Sequence, residues 1–60
     1  MSSFAELRKN KGISLAAAAQ YIGVAEDTLQ NMENNSHDIK ISDAVMLADF
    51  YNEDIKNISF

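Results

Sequence analysis

Two glycines, Gly12 and Gly23, are the strongest breaks in a sequence of 60 residues that contains no proline. Glycine and proline are the residues that most often interrupt regular structure. The stretches beside these glycines carry apolar residues at helical spacing, which indicates several short helices. The best candidate for a strand, Ile39 to Ile41, is too short to be counted as one.

Apolar spacing and capping residues predict five helices. Ser14 and Asp54 are suited to cap the second and last helices, because their side-chain oxygens accept backbone N–H groups. Asn52 is suited to end the fourth helix, since Asn tolerates the left-handed conformation. A polar loop is expected from Asn34 to Lys40. The five helices are expected at about Ser3 to Asn10, Leu15 to Ile22, Glu26 to Asn34, Ser42 to Tyr51, and in a short last segment carrying Ile55 and Ile58.

The predicted fold is therefore all-α, a compact five-helix domain over residues 1–60. A chain of this length buries only about 60% of the surface that its unfolded form exposes. Dimerisation or a partner would add to its stability. The expected core residues are Phe4, Leu7, Ile13, Ala18, Ala19, Ile22, Val24, Leu29, Met32, Ile41, Leu47, Ala48, Tyr51, Ile55 and Ile58.

Composition argues against several classes of protein. No cysteine is present, so disulfides and thiolate metal sites are excluded. No apolar run approaches the roughly 20 residues of a membrane span, and the first residues lack the features of a signal peptide. We therefore expect a cytoplasmic protein without a membrane partner.

Catalytic and metal-binding patterns are missing from the sequence. There is no Ser/His/Asp arrangement and no glycine-rich phosphate loop, so an enzyme is not expected. His37 is the single histidine, and Asp38 beside it does not make a metal site, because such sites need several converging ligands. We expect no metal and no cofactor.

The stretch from Ser14 to Asn34 combines two short helices and a glycine turn, which is the helix-turn-helix pattern. With this stretch, the sequence resembles the repressor/Cro-like helix-turn-helix family, also called the xenobiotic-response-element type. The resemblance covers nearly the whole chain and implies a transcriptional regulator that binds duplex DNA as a homodimer, with the third helix in the major groove. The pieces that carry it are Leu7-Arg8-Lys9, Lys11-Gly12-Ile13-Ser14, Ala19, Ile22-Gly23-Val24, Thr28-Leu29, Met32-Glu33-Asn34, Leu47-Ala48, and Asp54-Ile55 to Ile58.

The candidate DNA-contacting residues are of two kinds. Gln30 and Asn31 carry amides that can form two hydrogen bonds with adenine, and acidic side chains can accept from cytosine. Basic residues near the surface that contacts the DNA backbone in the resembled family can hold phosphates. The plainer interpretation is that the amides and bases belong to solvated helix faces and that the acids serve the N-terminus of the third helix. The candidates are Glu26, Asp27, Thr28, Gln30, Asn31, Arg8, Lys9, Lys11 and Lys40.

The charge of the chain departs from that of a typical DNA-binding domain. The net charge is −4, and residues 14–35 contain three acids but no Lys or Arg. A basic footprint is usual in such domains, because phosphate contacts supply much of the affinity. Leu15 stands where the resembled family often has glutamine, Ala25 where it has a capping Ser or Thr, and Asn31 where Arg is frequent.

These departures favour an alternative function, a protein-binding module or antirepressor that has lost DNA binding and docks on a basic partner. Exposed apolar residues often mark such partner surfaces. Helix packing that buries Leu15 and leaves Tyr21 as an ordinary surface aromatic is the plainer interpretation. The main prediction remains a transcription regulator that binds DNA through its third helix. The candidate partner surface, which could also serve self-association, comprises Leu15, Tyr21, Met46, Phe50 and Phe60.

Overall fold

The computed structural model describes residues 2–59. Four α-helices account for most of this length, and the predicted bounds of the second and third are confirmed. The first begins one residue later than predicted, and the fourth is displaced by one residue at each end. The helices are α1 (Phe4–Asn10), α2 (Leu15–Ile22), α3 (Glu26–Asn34) and α4 (Ile41–Phe50).

The fifth helix of the prediction is wrong, because the chain forms only one turn of 3-10 helix, Ile55–Asn57. Asp54 caps this turn by accepting the Lys56 N–H at 3.1 Å. The chain then becomes extended, and strand β2 (Ile58–Ser59) pairs in parallel with β1 (Ser2–Ser3). The expectation of no strand is therefore wrong as well. Two-residue strands are too short to produce an alternation that a sequence pattern could reveal.

Local capping interactions set the ends of the helices. A capping box begins α1: the Ser3 hydroxyl accepts the Glu6 N–H, and the Glu6 carboxylate accepts the Ser3 N–H at 2.9 Å. The pKa of Glu6 is lowered by the Ser3 N–H that its carboxylate accepts and by a further hydrogen bond between that carboxylate and the Ser3 side chain. Ser14 caps α2 as predicted. Gly23 and Asn52 have φ of 76° and 55°, which confirms that each ends a helix in the left-handed conformation.

The core lies where α2 packs against both α3 and α4. Four of its buried residues are alanines, two on α2 and two on α4, and small side chains allow helix backbones to approach closely. Of the expected core residues, Ile13, Val24, Met32 and Ile55 are only partly buried. The buried core consists of Phe4, Leu7, Ala18, Ala19, Ile22, Leu29, Ile39, Ala44, Leu47, Ala48, Tyr51 and Ile58.

Ile41 is the one expected core residue that the structure places in solvent, with 72% of its surface exposed. It begins α4, and the buried isoleucine of this region is Ile39, which precedes the helix. Two apolar residues so close together at a loop-helix boundary gave no periodicity that could distinguish them. The prediction that placed Ile41 in the core is wrong for this reason.

A buried ion pair joins α1 to α3. Arg8 Nε donates to Glu33 Oε2 at 2.7 Å, and Nη2 donates to Oε1 at 3.1 Å. The third guanidinium nitrogen donates to the backbone oxygen of Ile13 at 3.1 Å, in the turn before α2. The side chains are 10% and 1% exposed. The hydrogen bonds to Glu33 raise the pKa of Arg8, so α1, α3 and the intervening turn are fixed relative to one another.

Tyr51 is buried and lies close enough to this ion pair to interact with the charges of both its members. Its hydroxyl has no hydrogen-bond partner among residues 2–59. Burial raises the pKa of Tyr51 to about 12; the charge of Glu33 adds to this effect, and that of Arg8 opposes it. The phenol is therefore held neutral inside the fold, where ionisation would be opposed by both desolvation and a neighbouring carboxylate.

Substitution of Glu33 tests the importance of the ion pair. Glu33→Gln leaves the Arg8 guanidinium buried without its counter-charge, and we expect a loss of about 3–5 kcal/mol in the free energy of unfolding. Glu26→Gln, at the exposed start of the same helix, is the matched control and should lose less than about 1 kcal/mol. Urea unfolding followed by circular dichroism measures both. Equal losses in the two variants would show that the pair does not hold the fold together.

Stability at high pH tests the environment of Tyr51. Its pKa is raised from 10.0 in the unfolded chain to about 12 in the fold, because the fold favours the neutral phenol. The free energy of unfolding is therefore unaffected by this group below pH 10 and falls as the pH rises through about 12. Tyr51→Phe should reduce this alkaline loss and should be at least as stable near neutral pH, since it removes a buried hydroxyl without a protein partner. Tyr21→Phe, at a half-exposed tyrosine, is the control. An unchanged alkaline profile in Tyr51→Phe would contradict the assignment.

Candidate nucleic-acid interface

Helix α3 presents one face to the core and the other to solvent. Leu29 is completely buried, and Met32 and Glu33 are partly buried beside it. Because a helix repeats every 3.6 residues, positions 27, 30, 31 and 34 share the opposite side. The exposed residues of the helix are Glu26, Asp27, Thr28, Gln30, Asn31 and Asn34. The five candidates that the sequence placed on this helix are thus brought together on its exposed surface.

The amide side chains on this face make few and weak contacts with the protein. Gln30 Nε2 donates to Asn34 Oδ1 at 3.5 Å, the outer limit for a hydrogen bond. Asn34 is not among the DNA-contacting candidates predicted from the sequence, although it follows Gln30 by one helical turn and could have been found by that spacing. Together, Gln30, Asn31 and Asn34 form a row of amides that can exchange solvent for another polar partner.

The charge of this face is less negative than the sequence suggested. Of the three acids between residues 14 and 35, Glu33 is turned inward and paired with Arg8. The exposed acids are Glu26 and Asp27, both in the first turn of α3. Ala25 provides no side-chain cap there, so the carboxylates stabilise the positive end of the helix dipole. Residues 14–35 have a formal charge of −3 in total. Leaving out the inward-facing Glu33 gives an exposed formal charge of −2.

The basic candidates divide into one internal and three external residues. Arg8 donates from all three of its guanidinium nitrogens to protein acceptors. Lys9 and Lys11 are exposed at the end of α1, and Lys40 is exposed immediately before α4. Over residues 2–59, these three lysines form no ion pair, whereas Lys56 lies 3.6 Å from Asp54. Exposed lysines without an ion pair among these residues are available to phosphates.

The partner-surface candidates occupy different environments. Leu15 is half-buried against the core. Tyr21 on α2 is 47% exposed, and its ring stacks on Phe50 of α4 with centroids 4.3 Å apart. Met46, one turn before Phe50, is 38% exposed. Phe60 lies outside the described residues.

Two other kinds of site, pockets and clusters of metal ligands, are absent from the described part of the chain. Residues 2–59 contain no pocket and no group of three or more side chains suited to hold a metal ion. His37 is exposed in the 3-10 turn Ser36–Asp38. None of the helices described is both long and apolar enough to cross a membrane.

Comparison with known proteins identifies the family. A family model described as helix-turn-helix matches residues 4–57, which include α2, the Gly23 turn and α3. Neither a curated protein nor a solved structure matches the chain. The family match covers nearly the whole sequence and agrees with the arrangement of helices. The chain belongs to the repressor/Cro type of the helix-turn-helix family, whose members are DNA-binding transcription regulators.

Proposed function

We propose that this domain regulates transcription by placing α3 in the major groove of duplex DNA. The observation that carries the proposal is the exposed polar face of α3, which lies opposite the buried Leu29. The major groove is about 12 Å wide and admits a single α-helix. A helix of nine residues has a length of about 13 Å, enough to span several base edges.

Base recognition is assigned to the amide row and its neighbour Thr28. The side chains of Gln30 and Asn31 can each form two hydrogen bonds with adenine. The amide N–H donates to N7, and the amide oxygen accepts from the N6 amino group. The Thr28 methyl suits contact with the thymine methyl. Glu26 and Asp27 can accept only from donors such as cytosine N4. The face therefore favours A·T pairs at its centre and disfavours phosphate contact at its start.

Phosphate contacts are assigned to Lys9, Lys11 and Lys40, and none to Arg8, whose guanidinium is engaged inside the fold. Each neutralised phosphate contributes a slope of about −0.9 to the dependence of log K on log salt. Three lysines therefore give at most a slope of roughly −3 per domain. Because so little affinity comes from phosphates, binding must depend unusually strongly on base contacts.

The Arg8–Glu33 pair serves this function indirectly. Glu33 lies on the inner side of α3, three residues after Gln30 and two after Asn31. Its bidentate bond to Arg8 holds α3 at a fixed angle to α1 and the following turn. The recognition face and Lys9, the neighbour of Arg8, are thus carried on one rigid frame. Homodimerisation over paired half-sites, through the segment after Asp54 or through the Leu15/Tyr21 surface, remains a prediction.

A selection from random duplex DNA tests base recognition. The unmodified domain should enrich a short motif, and the double variant Gln30→Ala/Asn31→Ala should lose about 1–3 kcal/mol for each bidentate contact on that motif. Gln20→Ala, which removes an exposed amide from α2, is the control and should bind as the unmodified domain does. Equal affinity of the double variant for motif and random DNA is expected. Unchanged preference would show that α3 does not read the bases.

The salt dependence of binding tests the electrostatic assignment. Replacing Lys9, Lys11 and Lys40 with Gln should flatten the slope by about 0.9 for each lysine. Glu26→Gln with Asp27→Asn should strengthen non-specific binding, since negative charge near phosphate is removed. A steep slope in the native domain would mean that these acids point away from the DNA.

Absence of binding even at low salt would reject the proposal. The remaining function would then be the protein-docking alternative, which the acids at the start of α3 favour. In that case, the same Glu26 and Asp27 substitutions should weaken a complex with a basic protein rather than strengthen one with DNA.

A further inference from the structure

The aromatic patch comprises the stacked rings of Tyr21 on α2 and Phe50 on α4, together with Met46 one turn before Phe50; Tyr21 and Met46 are exposed, and Phe50 is half-buried. The Tyr21 and Phe50 rings are nearly parallel, with an interplanar angle of 14° and a centroid separation of 4.3 Å. Phe50 also lies 6.0 Å from the buried ring of Tyr51, which anchors the stack to the core. None of the three residues belongs to the candidate interface on α3. An aromatic surface that remains partly in solvent is the kind of feature that binding sites use.

The charged residues that flank the aromatic patch on its own helices are all acidic. Helix α2 carries no charged residue, and the charged residues within α4 are Asp43 and Asp49. They lie three positions before and three positions after Met46, so each is one turn away from it on the same side of the helix. Glu53 follows Phe50 by three residues. Lys40 lies beyond Asp43, before the helix begins.

We propose that the aromatic patch is a docking site for a basic segment of another protein. An arginine of that segment stacks on the Tyr21–Phe50 pair, since a guanidinium is attracted to the face of an aromatic ring. Neighbouring Lys or Arg residues of the segment pair with Asp43 and Asp49. Charge complementarity selects this occupant, because an apolar surface with an acidic rim attracts a cationic partner and repels an anionic one.

A second copy of this chain is the less favourable occupant of the same surface. A twofold interface places the same residues of both subunits opposite one another. The aspartates of one copy would then approach those of the other, in a chain that already has a net charge of −4. Like charges opposed across an interface weaken it. The docking site is also independent of the proposed DNA contacts, so either can fail without the other.

The test uses the full chain and two synthetic amphipathic peptides. The first has an apolar stripe flanked by arginines, and the second is identical except that glutamates replace the arginines. NMR titration with the arginine peptide should shift the resonances of Tyr21, Met46 and Phe50, and the glutamate peptide should bind at least tenfold more weakly. Tyr21→Ser should weaken the arginine complex about fivefold, the effect of one cation–aromatic contact.

Two further variants separate docking from general attraction and from loss of folding. Asp43→Asn with Asp49→Asn, at positions outside the buried core, should weaken binding and reduce its dependence on salt. Ile41→Ser is the matched control: it also removes an exposed apolar side chain from α4, but at a position about 140° around the helix from Met46 and 180° from Phe50. It should bind the peptide as the native chain does.

Several outcomes would overturn the proposal. Equal affinity for the glutamate and arginine peptides would do so, and so would a loss of binding in Ile41→Ser as large as that in Tyr21→Ser. Resonance shifts confined to Glu26 and Asp27 would place the contact on α3 instead. Self-association that rises with concentration and disappears in Tyr21→Ser would show that a second copy occupies the patch.

Discussion

The orientation of α3 on the core depends on the buried ion pair between its own Glu33 and Arg8 of α1, which supplements the packing of α3 against α2. Helix α3 has only one completely buried side chain, Leu29, and its start has no side-chain cap. Apolar burial alone would leave so polar a helix free to rotate or shift. A bidentate guanidinium–carboxylate contact is directional, and the additional bond to Ile13 fixes the guanidinium plane. The outer face of α3 therefore has a defined orientation even though little of the helix is apolar.

The same pair explains part of the unusual charge of this chain. Pairing removes the one arginine from the surface and the one carboxylate of α3 that is farthest from its first turn. The remaining exposed charge is arranged by position: lysines near the end of α1 and before α4, and acids at the start of α3 and along α4. A protein with this arrangement has locally distinct faces despite its negative total. Net charge is therefore a poor guide to what any one face can bind.

The features predicted from the sequence were those determined by neighbouring residues. Gly23, Ser14 and Asn52 act through contacts within a few residues, and the bounds of α2 and α3 followed from them. The β1–β2 pair and the Arg8–Glu33 ion pair join residues separated by 25 positions or more. No periodicity reports such contacts. In the same way, Ile39 and Ile41 could be distinguished only by the path of the loop before α4. The exposed face of α3 was predictable because a regular helix with one buried leucine determines its own outer side.

The parallel pairing of Ser2–Ser3 with Ile58–Ser59 has a consequence for the order of folding. It joins the two segments with the largest separation along the chain, so its formation closes a loop that contains every helix. The entropy cost of closing a loop is smaller when the intervening chain is already compact. The helices and their mutual contacts should therefore form first, and the pairing should complete the native state. Opening of this pair is then expected to be the first step of unfolding. It would release Ile58 from the core and loosen the capping box that Ser3 makes at the start of α1, while α2, α3 and α4 stayed intact.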